Sequence, residues 1–343
     1  MELKDMIISL CSIMSVSGHE TREDDKLTAL LSNGFDECIT DALHNHIFVK
    51  RAAKEHAPKI LIDTHFDEIG MIVSGISKDG FVSVAPIGGL DTRILQAGEV
   101  IIYGKEPIYG VIASTPPHLQ KPTDADKLKP IEELYIDTGI PKEELEELVS
   151  LGAPVGFKPI YTELMNGRIF GKGFDDKACA ACAASAIFST AREELAGDVY
   201  LVLSAQEEVG LRGAKVAGFG VSPDYALVLD VTHASTPDND VKKDIALGTG
   251  VAVCRSAITD RRLTDAVENI CRDKEIEYSV EVCPMSTGTN ANVLGITADG
   301  IPTALVSLPI KSMHSSAETL ALEDAEALRK FVGEFIKTEV TLK

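Results

Sequence analysis

The sequence predicts an α/β protein, with a mainly parallel sheet sandwiched by helices and a β-rich, barrel-like domain inserted into it. Three observations lead there. Apolar runs with the length and β-branched content of buried strands recur along the chain: "KILIDTHFD", "VYLVLSA", "YALVLD", "IALGTGVAVC" and "TALVSLPI". Between them lie stretches of helical period at 21–33, 177–194, 259–274 and 322–337. This alternation builds a sheet buried on both faces, because parallel strands need crossover connections and those connections are usually helices. The third observation is a break in the pattern. From Met71 to Met165 the chain reads as short strands around glycines and prolines, in "GMIVSGISKDGFVSVAPIGG", "GEVIIYG" and "PIYGVIAS", with an acidic helical piece at "PKEELEELV". The expected organisation is therefore an α/β domain made of residues 1–70 and 166–343, with residues 71–165 inserted between its halves.

Composition limits what such a protein does. At 343 residues and 45% hydrophobic content the chain can bury a substantial core. With 33 basic against 53 acidic residues its formal charge is -20, which excludes sequence-independent binding to nucleic-acid phosphates or anionic membranes. Peptides, small molecules and cations are the expected partners. No apolar run approaches the roughly 20 residues of a membrane span, and the first residues, "MELKDMIISL", carry acids where a secretory signal is basic. A cytoplasmic location is expected. Seven cysteines fit a reducing compartment, and Cys179 and Cys182 in "KACAACAASA" read as small hydrophobes packed in a helix, since no second pair comes after them at zinc-ligand spacing.

Open α/β sheets bind ligands beyond the carboxyl ends of their strands. His65 and Asp67 come directly after "KILID", Glu207 and Glu208 after "VYLVLSA", and Asp230 ends "YALVLD". Asp175 and Asp176 precede a helix, and His314 lies just past "TALVSLPI". Each has an ordinary reading, as a turn, a helix N-terminal carboxylate or a surface imidazole. Their recurrence at five separate junctions is what a metal site assembled across a sheet edge requires, since imidazole and carboxylate are the ligands of divalent ions. The remaining histidines carry less. His44 and His46 share a face if extended but have no third ligand nearby; His19 and His56 sit in loops; His118 belongs to the inserted stretch as a structural or interface residue; His233 is placed to orient Asp230.

At these residues the chain resembles a known family. "THFDEIGMIV", "GKGFDDKA", "AQEEVGLRGA", "LDVTHA" and "MHSS", in that order and with a β-rich insertion after the first, resemble the M42 metallo-aminopeptidases, which include glutamyl and deblocking aminopeptidases, TET peptidases and proteins of the "cellulase M" type. The likeness runs from "MSVSGHE" to the last helix. It implies a zinc-peptidase-like fold and a hydrolase that removes the N-terminal residue of short peptides with metal-activated water. Carried over by position, His65 and Asp230 hold one divalent ion, Glu208 and His314 hold another, and Asp175 bridges them. Glu207 is then the general base and Asp67 the carboxylate behind His65. The resemblance implies Zn²⁺, Co²⁺ or Mn²⁺ as cofactor, and homo-oligomers, from dimers to dodecamers, built through the inserted domain.

Three positions depart from the family pattern: Lys177 stands where arginine is common, Phe66 where leucine is common, and "STGTNAN" puts Asn290 in place of an acid near the substrate end. Other readings are a two-metal deacylase or carboxypeptidase of the related M20 type, a glycosidase, and a silent binding protein of the same fold. Adjacent glutamates and scarce aromatics speak against a glycosidase. The full ligand set speaks against a silent protein.

Overall fold

The computed structural model describes residues 1–113, 129–237 and 245–342; His118 and most of the loop at "KPTDADKLKP" lie outside the described residues. The larger unit is an 11-stranded sheet. At its centre Lys59–His65 pairs in parallel with both Asp198–Ser204 and Tyr225–His233, and Tyr225–His233 pairs in parallel with Thr303–Lys311. The flanks are antiparallel: Glu37–Thr40 and His46–Lys50 on one side, Glu318–Ala321, Arg168–Gly171 and Thr162–Leu164 on the other. Val251–Ser256 pairs antiparallel with Thr303–Lys311 and parallel with Tyr278–Cys283.

Side-chain alternation along the central strands explains why helices cover both faces. Ile60, Ile62, Leu201, Leu203, Leu227 and Leu229 enter one core, with apolar residues of the helices Leu3–Cys11, Phe174–Ser189, Arg261–Asp273 and Leu322–Phe335. Leu61, Tyr200, Val202, Ala226 and Val228 enter the other, with Ala214, Ala217 and Val221 of helix Arg212–Val221. The Phe174–Ser189 helix is buried on almost every side, which is why "ACAACAASA" has no polar face and only small residues. Cys179 and Cys182 are fully buried free thiols within it, and burial pushes both upward.

Local differences from the expected elements have local causes. The helix expected at 21–33 is a 3₁₀ turn, Glu20–Glu23, succeeded by Asp24–Leu31. The strand expected from Ile245 begins at Val251, because Gly248 and Gly250 adopt φ of 90° and 80°, which turns the chain before it can extend.

The smaller unit is a closed antiparallel barrel in the order Gly70–Ile76, Val82–Ile87, Tyr135–Asp137, Pro107–Ile112, Glu99–Tyr103, Pro154–Phe157. Closure leaves no free sheet edge. Met71, Val84, Val100, Ile136 and Val155 fill its own core, separate from the two cores of the large sheet. The next strand in the chain, Thr162–Leu164, already pairs into the large sheet. No helix among the described residues is long and apolar enough to cross a membrane.

Candidate metal centre

Because the central strands run in parallel, their last residues arrive at one edge. His65 is level with Ser204 in the register, which brings Glu207 and Glu208 beside it, and Val228 is level with Asp63, which brings Asp230 to the height of His65. Asp175 enters from the start of the Phe174–Ser189 helix after Gly173, whose φ is 72°. His314 enters from the loop after Thr303–Lys311.

Asp175 lies between two imidazoles. Its Oδ1 is 2.9 Å from His65 Nε2 and its Oδ2 is 3.3 Å from His314 Nε2. Asp230 Oδ1 is 4.0 Å from His65 Nε2, and Glu208 Oε1 is 3.3 Å from His314 Nε2. The donor atoms of His65, Asp175 and Asp230 lie within 4.8 Å of one another, as do those of Asp175, Glu208 and His314, and those of His65, Glu207 and Glu208. In a tetrahedral site with bonds of about 2.0–2.2 Å, neighbouring donors are roughly 3.4 Å apart. The spacings around Asp175 are of that size, so the residues fit a divalent ion on each side of it.

The electrostatics point the same way. His314 is raised to about 11 by its hydrogen bonds to Asp175 and Glu208. On His65 burial opposes charge, but Asp175, Glu207 and Asp230 outweigh it and hold the ring well above the ordinary range. Burial, reinforced by neighbouring carboxylates, pushes Glu207 up to about 9 and Asp230 to about 8. Four carboxylates thus crowd two imidazoles, and the deficit of positive charge is what divalent cations remove.

Carboxylates around this cluster hold backbone in place. His65 Nδ1 meets the main-chain carbonyl of Asp67 at 2.9 Å, so the group behind His65 is that carbonyl, with the Asp67 carboxylate at 3.7 Å. That carboxylate instead accepts the amides of Glu207 at 2.9 Å and Glu208 at 3.2 Å. Asp176, fully buried, accepts the His65 amide at 3.2 Å. Glu318, which sequence reasoning missed, accepts Phe174 N at 2.6 Å with one oxygen and His314 N at 3.3 Å with the other. It fastens the stretches of chain that present Asp175 and His314. The only sequence signal for it was an acid four residues after His314.

The remaining expected residues take several different places. His46 is buried in a strand, 3.4 Å from Asp24, and His44 occupies a left-handed turn with φ of 69°; neither joins a metal-sized cluster among the described residues. His233 lines the cavity beside the cluster. Phe66 and Lys177 meet each other: the Lys177 ammonium lies over the Phe66 ring at 5.3 Å, donates to Ile13 O at 2.7 Å, and is 3.4 Å from the buried Glu68. Lys177 is thus a core residue and does not face the site. Asn290 was expected near the substrate end. It is instead buried under the sheet, donating to Asp63 Oδ2 at 2.7 Å and Ser204 Oγ at 2.8 Å, while its neighbours Thr289 and Asn292 line the cavity. The reason is its place at the head of the short helix Ala291–Leu294, which packs against the sheet.

The cavity over the cluster measures about 540 Å³ and is walled by His65, Asp175, Glu207, Glu208, Asp230 and His314 on one side and by Glu281, Thr287 and Thr289 on another. Residues 45–331 match the profile of the M42 glutamyl aminopeptidase family. The chain belongs to that family. Membership makes it a hydrolase of the peptidase class. The M42 chain is 34% identical to a lysyl aminopeptidase of Pyrococcus furiosus over 91% of its own length and 90% of the relative's. Its fold is similar to a TET aminopeptidase from a marine-sediment Thaumarchaeota archaeon, with a TM-score of 0.91, 30% identity, and 98% and 96% of the two chains covered. It is also similar to the TET1 peptidase of Pyrococcus horikoshii, which can assemble into a tetrahedron or a large octahedral shell, with a TM-score of 0.86, 31% identity, and 98% and 99% covered.

Proposed function

We propose that this M42 protein is an aminopeptidase that removes the N-terminal residue of short peptides with two divalent cations, Zn²⁺, Co²⁺ or Mn²⁺. The observation that carries the reading is Asp175, with one carboxylate oxygen turned to His65 and the other to His314. His65 and Asp230 complete one position, Glu208 and His314 the other. Bound there, divalent ions supply Lewis acidity and bring the pKa of water toward neutrality. The chain's residues do the rest. Asp67 pins the amides of Glu207 and Glu208, so the two side chains are presented from a fixed backbone. Glu208 turns to His314 and serves as ligand, while Glu207, not engaged by His314, takes the proton of the attacking water and returns it to the leaving amine. The cavity over the cluster, about 540 Å³, has room for the peptide's first residue.

The free amine is the feature that separates this reading from a deacylase or carboxypeptidase. A free dipeptide is expected to be hydrolysed far faster than its N-acetylated form, because acetylation removes the amine's lone pair and charge. Parallel assays of the two forms measure this; equal rates point to the deacylase reading.

The reading extends to assembly and location. The barrel's outer face carries exposed Tyr109, Val111 and Tyr135 on neighbouring strands, the first 63% exposed. Contiguous apolar surface of that kind marks an interaction site. We take the inserted domain, expected at 71–165 and built by the barrel strands from Gly70 to Phe157, as the part through which copies associate, and Tyr109→Glu combined with Val111→Lys is expected to lower the assembled mass in sedimentation velocity without lowering helix content. An unchanged mass removes the barrel face as the contact. Seven free cysteines support a reducing, cytoplasmic setting.

A further inference from the structure

The segment that carries Glu207 is held by an unusual set of contacts. Four consecutive amides, of residues 205 to 208, each donate to a side chain from a distant part of the chain. Ala205 N donates to Asn45 Oδ1 at 2.8 Å, Gln206 N to Glu20 Oε1 at 3.0 Å, Glu207 N to Asp67 Oδ1 at 2.9 Å and Glu208 N to Asp67 Oδ2 at 3.2 Å. The strand Asp198–Ser204 has just ended, so these amides have no ladder partner, and a helix does not begin until Arg212. Gln206 sits at φ of 58°, a left-handed conformation that a non-glycine residue adopts only at a cost.

We propose that Glu20 is a positioning residue for the Glu207 base: by accepting the Gln206 amide it holds the left-handed residue that sets the direction in which Glu207 leaves the strand. Glu20 is suited to this. It is 1% exposed, stands at the start of the 3₁₀ turn Glu20–Glu23, and the same oxygen accepts Gly18 N at 2.9 Å, which fixes its own rotamer. Its other oxygen, Oε2, is buried with no hydrogen-bond partner. A buried carboxylate with an unpartnered oxygen is costly, and an apolar side chain of the same volume is the cheaper occupant of such a place on stability grounds alone. Asp67 does not reach the Gln206 amide; its oxygens accept the amides of Glu207 and Glu208 and the Ser17 hydroxyl.

The inference rests on the aminopeptidase reading, and the experiment separates the two. The parent protein, Glu20→Met and Glu20→Gln are compared with a free dipeptide under metal saturation, and bound metal, melting midpoint and amide exchange are read on each. Glu20→Met fills the same space without an acceptor. It is expected to keep the parent's metal content, a melting midpoint close to the parent's and a KM within about twofold, while kcat falls by about 10- to 100-fold, the effect of misplacing a reacting group by a fraction of an ångström to an ångström. Its Gln206 amide should exchange faster while the amides of Glu207 and Glu208, held by Asp67, stay protected. Glu20→Gln keeps an acceptor oxygen and should recover most of the kcat loss. Unchanged kcat in Glu20→Met, or a fall in metal content and stability that parallels the fall in kcat, overturns the assignment. So does a Glu20→Gln variant no better than Glu20→Met. Should Glu20→Met fail to fold, the parent and Glu20→Gln decide: a Gln206 amide that exchanges freely in the folded parent overturns the proposal, and a protected one whose protection and turnover Glu20→Gln preserves supports it. A parent that cleaves no free dipeptide refutes the aminopeptidase reading itself, whatever the exchange data show.

Discussion

Glu207→Gln is expected to bind as much metal as the parent while turnover falls by about 10² to 10⁴, the range contributed by general base catalysis. Glu208→Gln should behave differently although the two residues are adjacent and chemically identical. Its Oε1 is 3.3 Å from His314 Nε2, in the group with Asp175, so a neutral amide there weakens one of the two ion positions. That variant is expected to lose part of its metal and to regain activity as the metal concentration rises. Both substitutions leave the backbone alone, because Asp67 binds the amides and not the side chains of these residues. Metal analysis by mass spectrometry beside kinetics at several metal concentrations reads both outcomes. Equal metal loss in the two variants, or rescue of Glu207→Gln by added metal, would reverse the roles.

The second large effect is that of metal removal. Chelation should abolish hydrolysis of free dipeptides, and Zn²⁺, Co²⁺ or Mn²⁺ should restore it, since in this reading the nucleophile is a water activated by the ions and not a side chain. The fold is expected to survive, because the cores on the two faces of the sheet and in the barrel do not depend on the cluster. Loss of a ligand bound only by the folded state lowers the melting midpoint without changing the architecture. Full peptidase activity in protein shown to be metal-free would end the two-cation reading.

Legibility in the sequence tracks the range of the interactions. The central strands are legible because burial on both faces makes them continuous apolar runs, as in "KILID" and "YALVL". Helix Arg212–Val221 is not, since "RGAKVAGFGV" carries three glycines that blur its period. The antiparallel flanks are also beyond reach: a strand's direction is set by its partner, and Arg168–Gly171 finds its partner in Glu318–Ala321. At the candidate site, His65, Asp175, Glu207, Glu208, Asp230 and His314 stand out in the sequence because each closes or follows an apolar run or precedes a helical stretch, although the strand carrying Asp230 runs on to His233.

Sequence by itself determined which side chains reach the sheet edge, because strand length and alternation decide where an apolar run stops and which polar residue comes next. The tertiary structure alone decided which of them meet and what supports them. Glu20 and Gln206 are 186 residues apart, Asn290 and Asp63 are 227 apart, and Glu318 and Phe174 are 144 apart. No local pattern marks such pairs, since the choice of acceptor for an amide left over at a strand end depends on which loops the packed cores bring alongside it. For the same reason Asn290, which by its neighbours belongs to the cavity, faces the core, and Glu318, which by its neighbours belongs to a surface loop, fastens Asp175 and His314 in place.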